Sequence, residues 1–210
     1  MLNKVLPTLM LIFCSVVHAQ ENTTYQVSFQ GYQGEVPVVK PYETSPVKIV
    51  YIDFLAEQNR NLAKAAIKAI ATQIPKETEV LVIPGDMANV LGDMLAERLS
   101  LPRLILRSKS SPYGAFATAH YASITGGKKV MIINNEQTSL IADKKVVIFD
   151  CVISSGGTIK AAHELVQKAG GSVLAYACAF TEGDEKKVIN DIKVLSLAHL
   201  PVFPVKGSSE

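Results

Sequence analysis

Residues 145–158, KVVIFDCVISSGGT, constrain the fold of this chain more than any other stretch. Residues 146–149 are apolar, β-branched or aromatic, a pattern that predicts a strand buried on both faces of a parallel sheet. Asp150 is expected to end that strand. Small residues then fill a loop as far as Thr158, and residues 159–169 place apolar side chains on one helical face. The stretch therefore predicts a strand, a glycine loop and the start of a helix.

The predicted loop has the chemistry of an anion site. Its two glycines let the backbone approach a ligand closely, the first-turn N–H groups lack intrahelical partners, and the helix dipole adds partial positive charge. Such a site suits a phosphate, and the Asp150 carboxylate is placed to hold sugar hydroxyls or a Mg²⁺ ion carried by the ligand. The alternative is a βα turn without a ligand, with Thr158 as the helix N-cap. The predicted phosphate-loop residues are Ser154, Ser155, Gly156, Gly157 and Thr158.

Strand patterns alternate with helical patterns of ten or more residues along most of the chain. This alternation predicts an α/β fold, in which a parallel β-sheet is flanked by helices. Ligands in such sheets gather at the carboxyl ends of the strands. The predicted core strands cover residues 79–83, 104–106, 146–149 and 172–180. The residues expected at their carboxyl ends are Gly85, Asp86, Arg107 and Asp150.

Other segments predict the surroundings of this sheet. The prolines at positions 37, 41 and 46 indicate a small irregular lobe at the N-terminal side. Residues 119–124 and 128–133 predict a hairpin. Residues 201–205 are expected to complete the edge of the sheet, and Asp53 is placed to cap the helix that follows it.

The order Val-Ile-Phe-Asp-Cys-Val-Ile-Ser-Ser-Gly-Gly-Thr resembles the phosphoribosyl diphosphate signature of the type I phosphoribosyltransferases. The resemblance covers residues 47–180 and is nearest to the adenine and xanthine enzymes. It implies one domain over residues 20–210, with a small N-terminal hood and a flexible hairpin loop. The implied reaction transfers the phosphoribosyl group from phosphoribosyl diphosphate to a purine base, as in adenine salvage, and releases pyrophosphate. Mg²⁺ is the implied cofactor, and a homodimer is the implied assembly.

This resemblance implies a role for each candidate residue. The phosphate loop, residues 154–158, would hold the 5′-phosphate, and Asp150 would hold the ribose hydroxyls. Arg107 and Lys109 would neutralise the leaving group, so the implied catalytic residues are Asp150, Arg107 and Lys109. Mg²⁺ would arrive with the substrate, with Asp150 as its one candidate protein ligand. The implied pyrophosphate loop consists of Gly85, Asp86, Met87 and Ala88.

The chain departs from the family pattern at several positions. Cys151 stands where the second member of an acidic pair is expected, and a thiol cannot reproduce the charge-assisted hydrogen bond of a carboxylate. Ala88 replaces a glycine, while Met87 and Ile124 replace an arginine and a glutamate that the adenine enzymes usually carry. Three hypotheses stay open: a purine phosphoribosyltransferase, a non-catalytic exported protein that binds a phosphoribosyl compound or nucleotide, and an exported structural domain without a ligand.

Composition and the first residues bear on partners and compartment. The net charge is +2 with dispersed basic residues, which argues against nucleic acid as a partner. Residues 1–19 have the basic start, apolar run and small final residues of a signal peptide, which predicts cleavage before Gln20 and export to the periplasm or the medium. No stable membrane insertion is expected after cleavage, and a misread signal would leave the protein in the cytoplasm. Cleavage also leaves Cys151 and Cys178 as the two cysteines of the chain; a disulfide between neighbouring parallel strands has awkward geometry, so two buried or half-buried thiols are expected.

The remaining polar residues carry weaker signals. His120, His163 and His199 lack the spacing of a metal site, and His163 is expected to face solvent. Lys128 and Lys129 are most simply interpreted as part of a solvated surface.

Overall fold

The computed structural model of the chain describes residues 24–43, 45–85, 88–122 and 127–205. The predicted signal peptide, residues 1–19, lies outside these ranges, as do Asp86, Met87 and Ile124. The strands, in chain order, are β1 (Thr24–Phe29), β2 (Tyr32–Val39), β3 (Val47–Val50), β4 (Val80–Pro84), β5 (Arg103–Leu106), β6 (Ala115–Ala122), β7 (Lys128–Asn134), β8 (Lys145–Ile153), β9 (Ser172–Glu182), β10 (Val188–Ile189), β11 (Ile192–Leu195), β12 (Ala198–Leu200) and β13 (Val202–Pro204). The α-helices are α1 (Arg60–Ala71), α2 (Asn89–Leu99) and α3 (Gly157–Lys168).

The central sheet confirms the predicted α/β fold. Its strands lie in the order β10-β11-β9-β8-β4-β5, with β12 also paired to β9. Strands β4, β5, β8, β9 and β11 are parallel, and the short β10 is antiparallel to β11. Residues 146–149 of β8 have no exposed surface, as expected of a central strand covered on both faces.

Each face of the central sheet packs against a different set of elements. Val147 and Phe149 of β8 belong to an apolar cluster with residues of α1, α2 and the N-terminal strands. Val146 and Ile148 point the other way, into a second cluster with α3 and the β6–β7 hairpin. Because side chains alternate along a strand, neighbouring residues of β8 enter different clusters.

The N-terminal strands form a regular antiparallel sheet rather than the irregular lobe expected from its prolines. Its order is β1-β2-β3-β13. Pro37 lies within β2 at an exposed position, and its carbonyl accepts a hydrogen bond from the backbone N–H of Tyr51 at 2.9 Å. Val36 and Val38 on either side of it are buried, so the proline interrupts neither the pairing nor the core. The Phe29 ring meets Phe180 of the central sheet at 5.7 Å between centroids.

Two local predictions are wrong. Residues 202–204 pair with β3 in the N-terminal sheet and do not complete the central one. Asp53 accepts a hydrogen bond from the N–H of Leu55 at 2.9 Å, but α1 begins only at Arg60, because a 3₁₀ turn over Glu57–Asn59 intervenes. The carboxylate therefore stabilises a turn and not the helix start.

The predicted hairpin is confirmed and is longer than expected. Strands β6 and β7 pair from Ala115 opposite Asn134 to Ala122 opposite Lys128. Its inner face packs on α3, and near it His163 of α3 is half-buried, with its Nδ1 2.7 Å from the Tyr176 hydroxyl. The expectation that His163 faces solvent is therefore wrong. None of the helices within the described residues has the length and apolar character needed to cross a membrane.

Candidate active site

A cleft of about 600 Å³ opens at the carboxyl ends of the central strands. Residues that follow or end β4, β5, β8 and β9 line it, as expected for ligand sites in parallel sheets. Further walls are formed by residues 49–52, at the end of β3 and just after it, and by residues 128–131 of the hairpin. Three parts of the fold that are separate in sequence thus enclose one space.

The predicted phosphate loop lies at this cleft. Strand β8 continues through Asp150 to Ile153, so the prediction that Asp150 ends the strand is wrong. The loop proper covers residues 154–156, and α3 begins at Gly157. Gly156 precedes the helix with φ at +83°, a conformation that a residue with a Cβ rarely adopts, so the alternative in which Thr158 is the N-cap is not what the structure shows. Ser154, Ser155, Gly156 and Thr158 line the cleft.

Gly157 faces the hairpin instead of the cleft. A Cβ atom at this position would lie 2.7 Å from the carbonyl oxygen of Ala122 at the end of β6. The backbone N–H of Gly157 donates to the Ser155 hydroxyl at 3.4 Å. The second glycine of the loop is therefore required because β6 approaches the first turn of α3 so closely.

Asp150 is half-buried and lines the cleft. Its carboxylate accepts the backbone N–H of Cys151 at 2.8 Å. Burial raises the pKa of Asp150 to about 7, although the Cys151 N–H opposes that shift. A bound hydroxyl or cation at this carboxylate would favour its charged form. Asp150 is thus placed to respond to a polar ligand.

Cys151 is 5% exposed, and it packs in the apolar cluster of Phe149 and Ala88. Cys178 belongs to the cluster on the opposite face of the sheet, and both thiols are free. Burial, together with the negative charge of Asp150, holds the pKa of Cys151 well above its usual range. The side chain that replaces the second acid of the signature is therefore a neutral, largely apolar group.

Glu182 is a buried acid at the end of β9 that the sequence interpretation did not single out as a site residue. It is 3% exposed, lines the cleft and hydrogen-bonds the side chain of Ser154. Burial raises the pKa of Glu182, and the Ser154 hydrogen bond opposes that shift. Its position at the carboxyl end of a parallel strand next to β8 is the signal that would have identified it.

The other predicted residues are divided between the cleft and its surroundings. Gly85, Ala88 and Arg107 line the cleft, and Arg107 is exposed, with its backbone paired to Ile132 of β7. Lys109 is exposed and is not among the lining residues. Asp86 and Met87 of the predicted pyrophosphate loop lie outside the described residues.

The two lysines at the start of β7 also line the cleft. Lys128 and Lys129 were expected to belong to an ordinary solvated surface, and both are exposed, but they border the space that contains the phosphate loop. With Arg107 they place positive charge around a cleft whose floor carries Asp150 and Glu182. A ligand with several negative charges would be attracted to this rim.

The residues of the cleft suit a divalent cation that arrives with a ligand. Within the described residues no three His, Cys, Asp or Glu side chains come together as a metal cage. Among the residues that the structure describes, Asp150 and Glu182 are the carboxylates that line the cleft. Mg²⁺ usually keeps several waters and binds through one or two carboxylates plus substrate phosphates, and this donor set allows that arrangement.

Comparisons with known proteins agree with this architecture. The family model described as phosphoribosyl transferase domain matches residues 55–206. The adenine phosphoribosyltransferase of Rhodospirillum rubrum is 29% identical over 123 residues, which is 57% of this chain and 68% of the relative. That of Thermosipho africanus is 25% identical over 144 residues, 67% of this chain and 82% of the relative.

A solved structure extends the likeness to the fold. The crystal structure of adenine phosphoribosyltransferase from Thermoanaerobacter pseudethanolicus superposes with a TM-score of 0.66 at 19% identity, covering 78% of this chain and 95% of that one. The parallel sheet, the loop before α3 and the matched family model lead to one conclusion: the chain belongs to the phosphoribosyl transferase domain family.

Proposed function

We propose that this protein transfers a phosphoribosyl group from phosphoribosyl diphosphate to a purine base, in the manner of adenine salvage, and releases pyrophosphate. The observation that carries the proposal is the shared cleft, in which the loop at the start of α3, Asp150 and Arg107 line one space. The curated relatives named as adenine phosphoribosyltransferases support a purine base as the acceptor.

The reaction forms one bond and breaks one at the anomeric carbon of the ribose. A ring nitrogen of the base supplies the electron pair of the new C–N bond, and the pyrophosphate oxygen leaves with the pair of the old C–O bond. The nitrogen loses its proton to solvent or to the leaving phosphate. The protein's task is therefore to hold the sugar and to stabilise the charge that leaves.

The lining residues divide this task by their chemistry. Backbone N–H groups of the first turn of α3 and the Ser155 and Thr158 hydroxyls would hold the 5′-phosphate. Asp150 would accept hydrogen bonds from the ribose hydroxyls. Arg107 would face the pyrophosphate, and Mg²⁺ bound to its oxygens, with Asp150 within reach as a ligand, would supply further charge neutralisation.

A non-catalytic binding role is the second candidate, and Cys151 is the observation that favours it. A buried neutral thiol replaces an acid that the family signature carries, so one charge-assisted contact to the sugar is missing. A loss of roughly 1.5–3 kcal/mol of binding would slow the reaction about ten- to a hundredfold without removing the phosphate site.

Calorimetry and a turnover assay separate the two candidates. Phosphoribosyl diphosphate with Mg²⁺ is titrated into the protein, and pyrophosphate release is then followed with adenine, hypoxanthine, guanine and uracil. Arg107→Ala should lose most of the activity, whereas Lys193→Ala, which removes an exposed lysine outside the cleft, should not. Binding without release for every base would support the binding role, and absence of binding would refute both.

Export and dimer formation are separate proposals that rest on residues 1–19 and on the family resemblance. N-terminal sequencing of the protein recovered from cell fractions tests the first. An uncleaved chain in the cytoplasm would overturn it. Sedimentation of the purified protein tests the second, and a monomer at micromolar concentration would overturn it.

A further inference from the structure

Lys129 lies on the inner face of the hairpin, at the point where that face reaches the cleft. The cross-strand pairs Ala117–Ile133 and Ala119–Met131 belong to or pack on the cluster that contains Ile159 of α3. Side chains alternate along a strand, so the next pair on this face is Tyr121–Lys129. Tyr121 is packed against the same cluster, and Lys129 is exposed because the cleft begins there.

The end of the hairpin lies directly beside the phosphate loop. The carbonyl oxygen of Ala122 would be 2.7 Å from a Cβ on Gly157, and Ala122 is paired with Lys128, the residue before Lys129. Paired residues of antiparallel strands have Cα atoms about 4.5–5.5 Å apart. Lys129 is the next residue along β7 after Lys128, so its long side chain begins close to the first turn of α3.

Lys129 makes none of the ion pairs found within the described residues. Five other lysines or arginines there pair with nearby acids. A cation on the inner face of a hairpin, without an acidic partner and beside a phosphate loop, has a dianion as its natural counterpart.

Arg107 marks the other end of the same wall. Its backbone pairs with Ile132, three residues along β7 from Lys129. At about 3.3 Å per residue, the two positions are separated by roughly 10 Å along the hairpin. The two cations thus bracket the cleft, with Lys129 at the end nearer the phosphate loop.

We propose that Lys129 binds the 5′-phosphate of the phosphoribosyl ligand from the hairpin side, opposite the backbone N–H groups of α3. The inference rests on the proposed function for the identity of the ligand. Lys128, the residue before Lys129, also lines the cleft, but by alternation its side chain leaves the opposite face of β7. The hairpin therefore binds the ligand as well as covering the cleft.

Ribose 5-phosphate is the probe that isolates this contact, since it carries the 5′-phosphate without a pyrophosphate. Its dissociation constant is measured by calorimetry at fixed ionic strength for the wild type, Lys129→Ala, Lys129→Arg and Lys193→Ala. Lys129→Ala removes a hydrogen bond to a charged group and should weaken binding about ten- to a hundredfold. Lys129→Arg should recover most of the affinity. Lys193→Ala, which removes an exposed lysine outside the cleft, should change it less than about threefold, the weak effect expected of a screened surface charge.

Pyrophosphate with Mg²⁺ serves as the second probe. Lys129→Ala should leave its affinity nearly unchanged, while Arg107→Ala should weaken it. Wild-type affinity for ribose 5-phosphate in Lys129→Ala, or equal losses in Lys193→Ala and Lys129→Ala, would overturn the inference. Binding that depends on Lys129 without pyrophosphate release for any base would support the inference and would count against the proposed transferase activity, so the two can fail separately.

Discussion

The two faces of the central sheet differ in the polar groups that they hold. The face toward α1 and α2 buries an almost wholly apolar cluster, in which Cys151 is the most polar side chain from β8. The face toward α3 and the hairpin carries Asp150, by its alternation with Ile148, and the Tyr176–His163 hydrogen bond. Asp150 and Cys151 are neighbours in sequence and both line the cleft, yet their side chains lie on opposite faces of the sheet. The missing acid of the signature therefore falls on the side of the sheet that is least able to hold a charge.

Placing a carboxylate on the apolar face of the sheet should give the largest change in the free energy of unfolding. Cys151→Asp would bury a second acid beside Asp150, without a cation among its cluster neighbours. We expect a loss of about 3–5 kcal/mol in the free energy of unfolding at pH 8, the cost of an uncompensated buried charge. Urea denaturation at pH 5 and pH 8 measures it. An undiminished stability at pH 8 with increased pyrophosphate release would show instead that position 151 reaches the sugar.

Removing the carboxylate on the polar face should have opposite effects on activity and stability. Burial raises the pKa of Asp150 to about 7, so the folded state holds this proton more tightly than the unfolded chain does. Stability contributed by Asp150 is then greatest at low pH and falls as the pH rises from about 4 through 7. Asp150→Asn should raise the free energy of unfolding at pH 8 by about 1–3 kcal/mol and lower kcat/KM about ten- to a hundredfold.

The pH dependence of this variant provides its control. At pH 4 the gain in stability should be small, because Asp150 is then protonated in the folded state and about half protonated in the unfolded chain. The rise in wild-type kcat/KM through pH 7 should be reduced in Asp150→Asn. A gain that is equal at pH 4 and pH 8 would contradict the assignment of the raised pKa to Asp150.

Two glycines allow the close approach of elements on opposite faces. A Cβ at Gly92 of α2 would meet the side chain of Ile83, whereas one at Gly157 would meet the backbone oxygen of Ala122. Either change to alanine should destabilise the fold by about 1–3 kcal/mol. Because Ile83→Ala itself leaves a cavity in the core, the two changes are compared in a double-mutant cycle. Gly92→Ala should cost less in the Ile83→Ala background than in the wild type, whereas no side chain can be trimmed at the Ala122 carbonyl to relieve Gly157→Ala. Thermal unfolding of the three single variants and of Gly92→Ala/Ile83→Ala tests this difference.

The smallest effect concerns the hydrogen bond between Tyr176 and His163. Tyr176→Phe removes the hydroxyl and should lower the free energy of unfolding by about 0.5–1.5 kcal/mol. Burial lowers the pKa of His163, so its contribution to stability is complete above about pH 6.5 and is lost as the pH falls. Unfolding midpoints from pH 5 to pH 8 measure both effects. His163→Gln should weaken the dependence of the unfolding midpoint on pH. A dependence that stays equally steep in this variant would show that other groups cause it.

The sequence predicted those features that depend on local pattern. The apolar run before Asp150, the small-residue loop and the helical periodicity after it give the strand, the loop and α3, and the departure at Cys151 was visible from the signature alone. The strand extends beyond the predicted end because Asp150, Val152 and Ile153 continue the pairing with β9 despite the charge of Asp150. Backbone pairing to a neighbour, which no local pattern reports, sets where this strand ends.

Features that depend on pairing between distant segments could not be predicted in this way. Pro37 suggested an irregular lobe, but it occupies an exposed position between two buried valines. The sequence pattern assigns Lys129 to a solvated surface, because the inward face of β7 is defined only by its pairing with β6. The pattern places residues 181–183 at a strand end near the predicted site, but the hydrogen bond of Glu182 to Ser154 depends on β9 lying next to β8.

The pairing of β13 with β3 has a consequence for the order of folding during synthesis. Strand β3 and the residues that follow it form one wall of the cleft, but its partner β13 is among the last described segments to be made. Contacts between segments so distant in sequence form slowly, because a long loop must close first. A nascent chain can therefore form most of the central sheet before β13 pairs with β3 and stabilises that wall of the cleft. Ligand binding should be among the last properties that the chain acquires.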